Sequence, residues 1–288
     1  MTQPRASTAR TVRDGMEDAT SRVRIGLVLS GGGLRGASHL GVLQELVAHG
    51  IPIDIIVGSS AGAVVAAYYA AVGLTLDELI TDARSFRGRH LIAHSLNVRL
   101  GLRRGSRLTK LSGLIPMRLE QLDHATFERL HHGVRGIGIV CHDVTTGQPR
   151  YFSTRDGHGV RLSDVVRASA SIPFLLPPIA VDCVGRSLLL TDGGVSDCLP
   201  VAFAQRPPLS ATHLIVSDCR WLRGRPSETA GHIVYVRPRL PSTGTLWAPA
   251  STLASAVRQG QRAVTNAILK TIRSWRTDIQ LGPIAGGT

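Results

Sequence analysis

Apolar residues in this chain fall into short runs that stop at glycines, alternating with longer stretches that are apolar at helical spacing. Arg24–Ser30 (RIGLVLS) is a continuous apolar run closed by three glycines, which reads as a buried strand. Gly36–His49 follows, with Leu40, Leu43 and Val47 at helical spacing and Gly50 as a stop. Asp54–Val57 (DIIV) predicts a second strand, and the alanine-rich Ser60–Val72 a helix apolar on most sides and so buried within the domain. Strand, helix, strand, helix at the start of the domain argues a βαβ unit and a parallel sheet. Further strands are predicted at Val134–His142, Arg150–Ser153, Ser187–Leu190, Thr212–Ser217 and His232–Val236. Helices are predicted at Leu162–Ala168, Pro200–Gln205 and Ser251–Trp275. There is no internal repeat.

Composition narrows the class. With 43% hydrophobic residues in 288, the chain can bury a sizeable core. No apolar run approaches the roughly 18 residues that span a bilayer. Residues 1–23 are polar with no apolar signal core, and read as a disordered tail before one domain over 24–288. Cys141, Cys183, Cys198 and Cys219 are widely spaced, fitting neither a zinc pattern nor a disulfide framework; they suit a reducing cytoplasm.

The net charge of +13 is concentrated in one place. Ala83–Leu119 contains no acidic residue but holds Arg84, Arg87, Arg89, Arg99, Arg103, Arg104, Arg107, Lys110 and Arg118. This insertion reads either as a solvated basic loop or as a cap that rests peripherally on an anionic membrane. Nucleic acid is not expected as a partner, because aromatics total only 4% and no basic motif is interleaved with them.

Three glycine-containing turns carry the candidate chemistry. Gly58-Ser59-Ser60-Ala61-Gly62 matches G-x-S-x-G, in which a strand turns sharply into a helix and leaves the central serine exposed. A tight βα turn without chemistry would read the same. Gly31-Gly32-Gly33-Leu34-Arg35-Gly36 also fits the dinucleotide-binding pattern G-x-G-x-x-G. That reading fails on placement: Asp54, the candidate ribose ligand, precedes its strand, and GSSAG takes the carboxyl end. Two glycine turns at neighbouring strand ends instead bring backbone N–H groups beside Ser60, as an oxyanion hole requires. Asp192-Gly193-Gly194 ends a third apolar run; alone it is equally a common turn. His213 and His232 start predicted strands, away from Ser60, and His39 reads as a helix residue bonded locally. The pair His90 and His94 lacks the glutamate of a zinc helix, so no metal is expected, nor any other cofactor.

Taken together and in order, GGGLRG (31–36), GSSAG (58–62), ASASIPFLLPP (168–178) and DGG (192–194) resemble the patatin-like phospholipase family, over about Arg24 to Asp218. The resemblance implies a three-layer α/β/α sandwich with a mostly parallel sheet. It also implies a Ser–Asp dyad acting on lipid acyl esters, with Ser60 as nucleophile and Asp192 as proton acceptor. Gly32 and Gly33 would supply oxyanion amides, and Gly31, Arg35, Gly36, Gly58, Gly62, Gly193 and Gly194 would shape the turns. Two alternatives stand beside it: a non-catalytic lipid- or nucleic-acid-binding protein on the same fold, and a triad esterase of the α/β-hydrolase kind. Cys219–Thr288 matches nothing in the resemblance.

Overall fold

The computed structural model describes residues 23–101, 110–156, 159–222, 231–241 and 250–277. The polar tail 1–22, and Arg103, Arg104 and Arg107 of the basic insertion, lie outside the described residues.

Strand β1 (Ile25–Leu29) leads through a short 3-10 turn at Gly33–Gly36 into helix α1 (Ala37–Ala48). Strand β2 (Ile55–Ser59) leads into α2 (Ala61–Ala66), which widens into a π turn over Ala67–Val72 and ends at left-handed Gly73. Both strands are wholly buried, as their unbroken apolar runs require. The basic insertion Ala83–Leu119 starts within α3 (Leu76–Ser85), contains α4 (Gly88–Arg99) and ends within α5 (Ile115–Asp123). Thr75 opens α3 with a reciprocal capping box to Glu78. Then follow β3 (Gly136–Asp143), β4 (Gln148–Ser153), α6 (Leu162–Ser169), β5 (Ile179–Cys183), β6 (Arg186–Asp192), α7 (Val201–Gln205), β7 (His213–Ser217) and β8 (Ile233–Val236).

The C-terminal helix expected as one piece is two, α8 (Ala250–Ala263) and α9 (Asn266–Thr277). Thr265 divides them, its hydroxyl accepting the amide of Ile268 at 3.3 Å as an N-cap does.

The sheet runs β5-β6-β3-β2-β1-β7-β8, with β4 also on β3. Strands β3, β2, β1, β7 and β8 are mutually parallel; β4 and β6 run against β3. Alternate residues of each strand feed two cores. Leu27, Leu29 and Ile56 pack with α1 and α2, while Val28, Val57 and Val216 pack with Phe203 and Ala204 of α7. Helices thus cover both faces of the sheet, giving three layers.

The register explains how distant residues meet. Strand β2 pairs with β3 as far as Ser59 opposite Val140, and β6 pairs with β3 from Leu190 opposite Asp143 to Asp192 opposite Cys141. Because β4 holds the other edge of β3 over the same residues, β2 and β6 lie end to end on one edge. Their carboxyl ends converge there, at Ser60 and Asp192.

Candidate active site

Ser60 has φ 52° and ψ −121°, a strained conformation for a non-glycine residue. The turn survives because its surroundings fix it. A Cβ on Gly62 would lie 2.2 Å from the Leu29 carbonyl oxygen, so only glycine lets α2 start so close to β1. The Ser60 amide donates to Ser169 Oγ at 3.0 Å, and Ser169 Oγ donates to the Val140 carbonyl at 2.6 Å. The Ser60 side chain is left to one partner: Oγ donates to Asp192 Oδ2 at 2.7 Å.

Asp192 is 5% exposed. Its Oδ1 accepts the Gly194 amide at 2.8 Å, and its own amide donates to the Ser171 carbonyl at 3.2 Å. Burial pushes its carboxyl above the ordinary range, opposed by the hydrogen bonds from Ser60 and Gly194. A carboxylate displaced toward neutrality is a better proton acceptor than one in water.

The glycine loop flanks this pair. The Gly31 amide is engaged by the Cys198 carbonyl at 2.8 Å. Gly32 and Gly33 stand at the N-cap and first position of the 3-10 turn, where amides have no carbonyl one turn earlier to receive them. Gly33 has φ 56° and lines the same cavity as Ser60. Arg35 is turned to a different task. It is buried, and its guanidinium donates to the carbonyls of Cys219 at 2.8 Å, of Arg220 at 3.5 Å, and of Pro241. It ties the loop to the segments that follow β7 and β8, partners that loop sequence alone could not reveal.

A cavity of about 600 Å³ opens over Ser60. Its wall is largely apolar: Leu40, Val64 and Val65 near the serine, Leu79 and Phe86 above, Leu91 and Val98 of α4, and Ile172 and Leu176 of the 171–178 loop. One side is polar. There Arg118 grips Asp82 with two hydrogen bonds of 2.7 and 3.0 Å, and Arg167 reaches Asp123 at 2.6 Å. Tyr68 and His94 complete this side. Burial raises the Tyr68 hydroxyl pKa, with Arg118 and Arg167 opposing, and burial followed by the Arg167 charge lowers that of His94.

No histidine bonds to Ser60 or Asp192 among the described residues. His39 is fully buried; its Nδ1 lies 2.7 Å from Ser217 Oγ and its Nε2 2.9 Å from the Ser30 carbonyl. It therefore joins the ends of β1 and β7 rather than bonding locally within its helix. His213 pairs with Ile25 at the opposite end of the sheet and packs on Trp275, with ring centroids 4.9 Å apart. His232 lies beside it, the two rings 6.4 Å apart. Gly31, Gly36, Gly58, Gly62, Gly193 and Gly194 all fall within the three turns at the Ser60 end of the sheet. Ser169, which holds the Ser60 amide, was not singled out from the sequence. Its place in the ASASIPF stretch was the available signal.

Comparison with known proteins bears on the family and the fold. Residues 27–204 match the patatin-like phospholipase family. An uncharacterised NTE family protein of Mycobacterium tuberculosis (strain ATCC 25618 / H37Rv) is 35% identical over 178 residues, 61% of this chain and 27% of its own length. Lysophospholipase NTE1 of Kluyveromyces lactis is 33% identical over 185 residues, 62% of this chain and 11% of its own. The chain thus spans only a minor part of the length of these curated relatives. In fold it is similar to VipD from Legionella pneumophila, with a TM-score of 0.53 at 16% identity, covering 88% of this chain and 67% of that one. With the family match covering 27–204, more than half of the sequence, this chain belongs to the patatin-like phospholipase family.

Proposed function

We propose that this protein hydrolyses carboxylic esters of lipids, with Ser60 as nucleophile and Asp192 as its sole base. The observation that carries the reading is the 2.7 Å hydrogen bond to buried Asp192 Oδ2 from the Oγ of Ser60, which lines a mostly apolar cavity. An acyl chain lying in that cavity brings its ester carbonyl to Ser60. As Oγ attacks the carbonyl carbon, its proton passes to Asp192, and the carbonyl π pair moves to oxygen. The amides of Gly32 and Gly33 receive that charge. Collapse of the tetrahedral intermediate expels the alcohol, which takes the proton from Asp192, and leaves an acyl ester on Ser60. Water attacks that ester with Asp192 again as base, releasing the fatty acid and restoring the serine.

Family membership and the lysophospholipase relative support lipid esters as the substrate class. A non-catalytic role on this fold has no observation in its favour, since both reacting side chains are present and in contact. Labelling by a fluorophosphonate probe, followed by a panel of lysophospholipid, phospholipid, triacylglycerol and soluble esters, tests the reading. Labelling with release of fatty acid from at least one lipid is expected. Absence of both from folded protein would remove it.

A further inference from the structure

Helix α4 divides the cavity from solvent, and its two faces differ. Leu91, His94 and Val98 line the cavity. Turned about 160° away at the 3.6-residue period are Arg89, Ile92, Leu96, Arg99 and Leu100, all of them exposed. The apolar members of this stripe are far more open than a packed helix face allows, with Leu96 53% and Leu100 63% exposed. An arginine stands toward each end of the stripe.

A second element joins this face from far along the chain. Arg99 donates to the carbonyls of Phe174 and Leu175, and Ser95 to that of Leu175. The loop so held presents Phe174, 99% exposed and at φ 67°, a strained setting for an aromatic residue. Burial within the fold does not account for it. Leu176 and Pro177, two and three residues on, line the cavity.

We propose that the outer stripe of α4 and the Phe174 tip form one docking surface for an anionic lipid membrane, at the mouth of the Ser60 cavity. The occupant is argued from charge complementarity. Ala83–Leu119 carries nine basic and no acidic residues; among the described residues, Arg118 of this segment grips Asp82 just outside it. Apolar side chains flanked by arginines suit an interface of acyl chains beneath anionic headgroups. Docking in this way sets the inner face of α4 and the loop 171–178 between bilayer and serine, so a lipid leaves the membrane directly into the cavity.

The test uses the full chain and does not depend on turnover. In Phe174→Trp, added vesicles containing phosphatidylserine are expected to shift tryptophan emission to the blue relative to wild type. Phosphatidylcholine vesicles, or high salt, should give a smaller shift. Arg89→Gln should weaken partitioning onto anionic vesicles by about fivefold, the effect of one basic residue near such a surface. Leu96→Gln with Phe174→Gln should weaken it by tenfold or more. All variants should retain wild-type fluorophosphonate labelling or, if the wild type does not label, the wild-type melting temperature, because none of these side chains bonds to Ser60 or Asp192. An unshifted spectrum, equal binding to neutral and anionic vesicles, or variants that partition like wild type would overturn the proposal.

Discussion

At the scale of single residues, the proposed site is a serine and a carboxylate whose properties follow from where two strand ends meet. Asp192 is buried and its pKa raised, so the sign of two effects can be set. In the proposed mechanism Asp192 must be ionised to accept the Ser60 proton. The acid limb of kcat/KM should therefore lie above the ordinary carboxyl pKa of 3.8, with rate lost as pH falls through the raised value. Stability runs the other way. A carboxyl raised on folding stabilises below its unfolded pKa, and that contribution is lost as pH rises through the folded one. At neutral pH the buried charge thus opposes folding, and Asp192→Asn should match or exceed the wild-type melting temperature while losing nearly all turnover. A clear fall in melting temperature for that variant would show that the carboxylate serves the fold. Ser60 was legible from GSSAG because an apolar run before it and a helix after it are local signals. The placement of His213 at the opposite end of the sheet was legible too, from strand ends. The bond partners of His39 were not, since Ser217 is distant in sequence and meets it only through the pairing of β1 with β7.

At the scale of elements, two joints hold the glycine loop in place. One is His39 between α1, β1 and β7. Burial drives its pKa from 6.5 to about 4, partly countered by the Ser30 carbonyl and the Asp218 charge. That displacement corresponds to about 3 kcal/mol. For a group depressed on folding, the loss begins as pH falls below the unfolded value and is complete below the folded one. Thermal melts between pH 7 and pH 4 should show this decline, and His39→Gln should flatten it while keeping a substantial part of the hydrolytic rate. The other joint is the crossing of α1 and α8. A Cβ on Gly260 would fall 2.0 Å from the Ser38 carbonyl oxygen, and one on Gly41 1.9 Å from that of Val257. Gly260→Val should therefore lower Tm by roughly 5–10 °C through overpacking; an unchanged melt would mean that the two helices do not meet at their backbones. Elements were legible where they are buried along all or nearly all of their length, as β1, β2 and, but for His213, β7 are. Helices α4 and α5 were not assigned, because their outer faces carry leucine and methionine among arginines and blur the amphipathic period. Strand β5 is short and half exposed, and the Thr265 break between α8 and α9 interrupts a stretch whose apolar spacing continues through it.

At the scale of the whole molecule, the α/β layering was readable from strand–glycine–helix alternation, and the three-layer form came with the family motifs. What joins the layers around the site was not readable. Arg35 shows why: its carbonyl partners at Cys219, Arg220 and Pro241 lie beyond the stretch that resembles the family. The C-terminal part is therefore a scaffold for the glycine loop, through Arg35 on one side and the α1–α8 crossing on the other. Everything functional then converges on one claim, that Ser60 is acylated by a lipid ester with Asp192 as its only base. Mass spectrometry of protein quenched during turnover of a long-chain 4-nitrophenyl ester measures this directly. An acyl adduct on the peptide carrying Ser60 is expected, absent in Ser60→Ala, reduced at least 1,000-fold in rate of formation by Asp192→Asn, and formed at a substantial fraction of the wild-type rate by His39→Gln, His213→Gln and His232→Gln. An adduct on another residue, or one whose formation a folded histidine variant abolishes as completely as Asp192→Asn, would contradict the dyad.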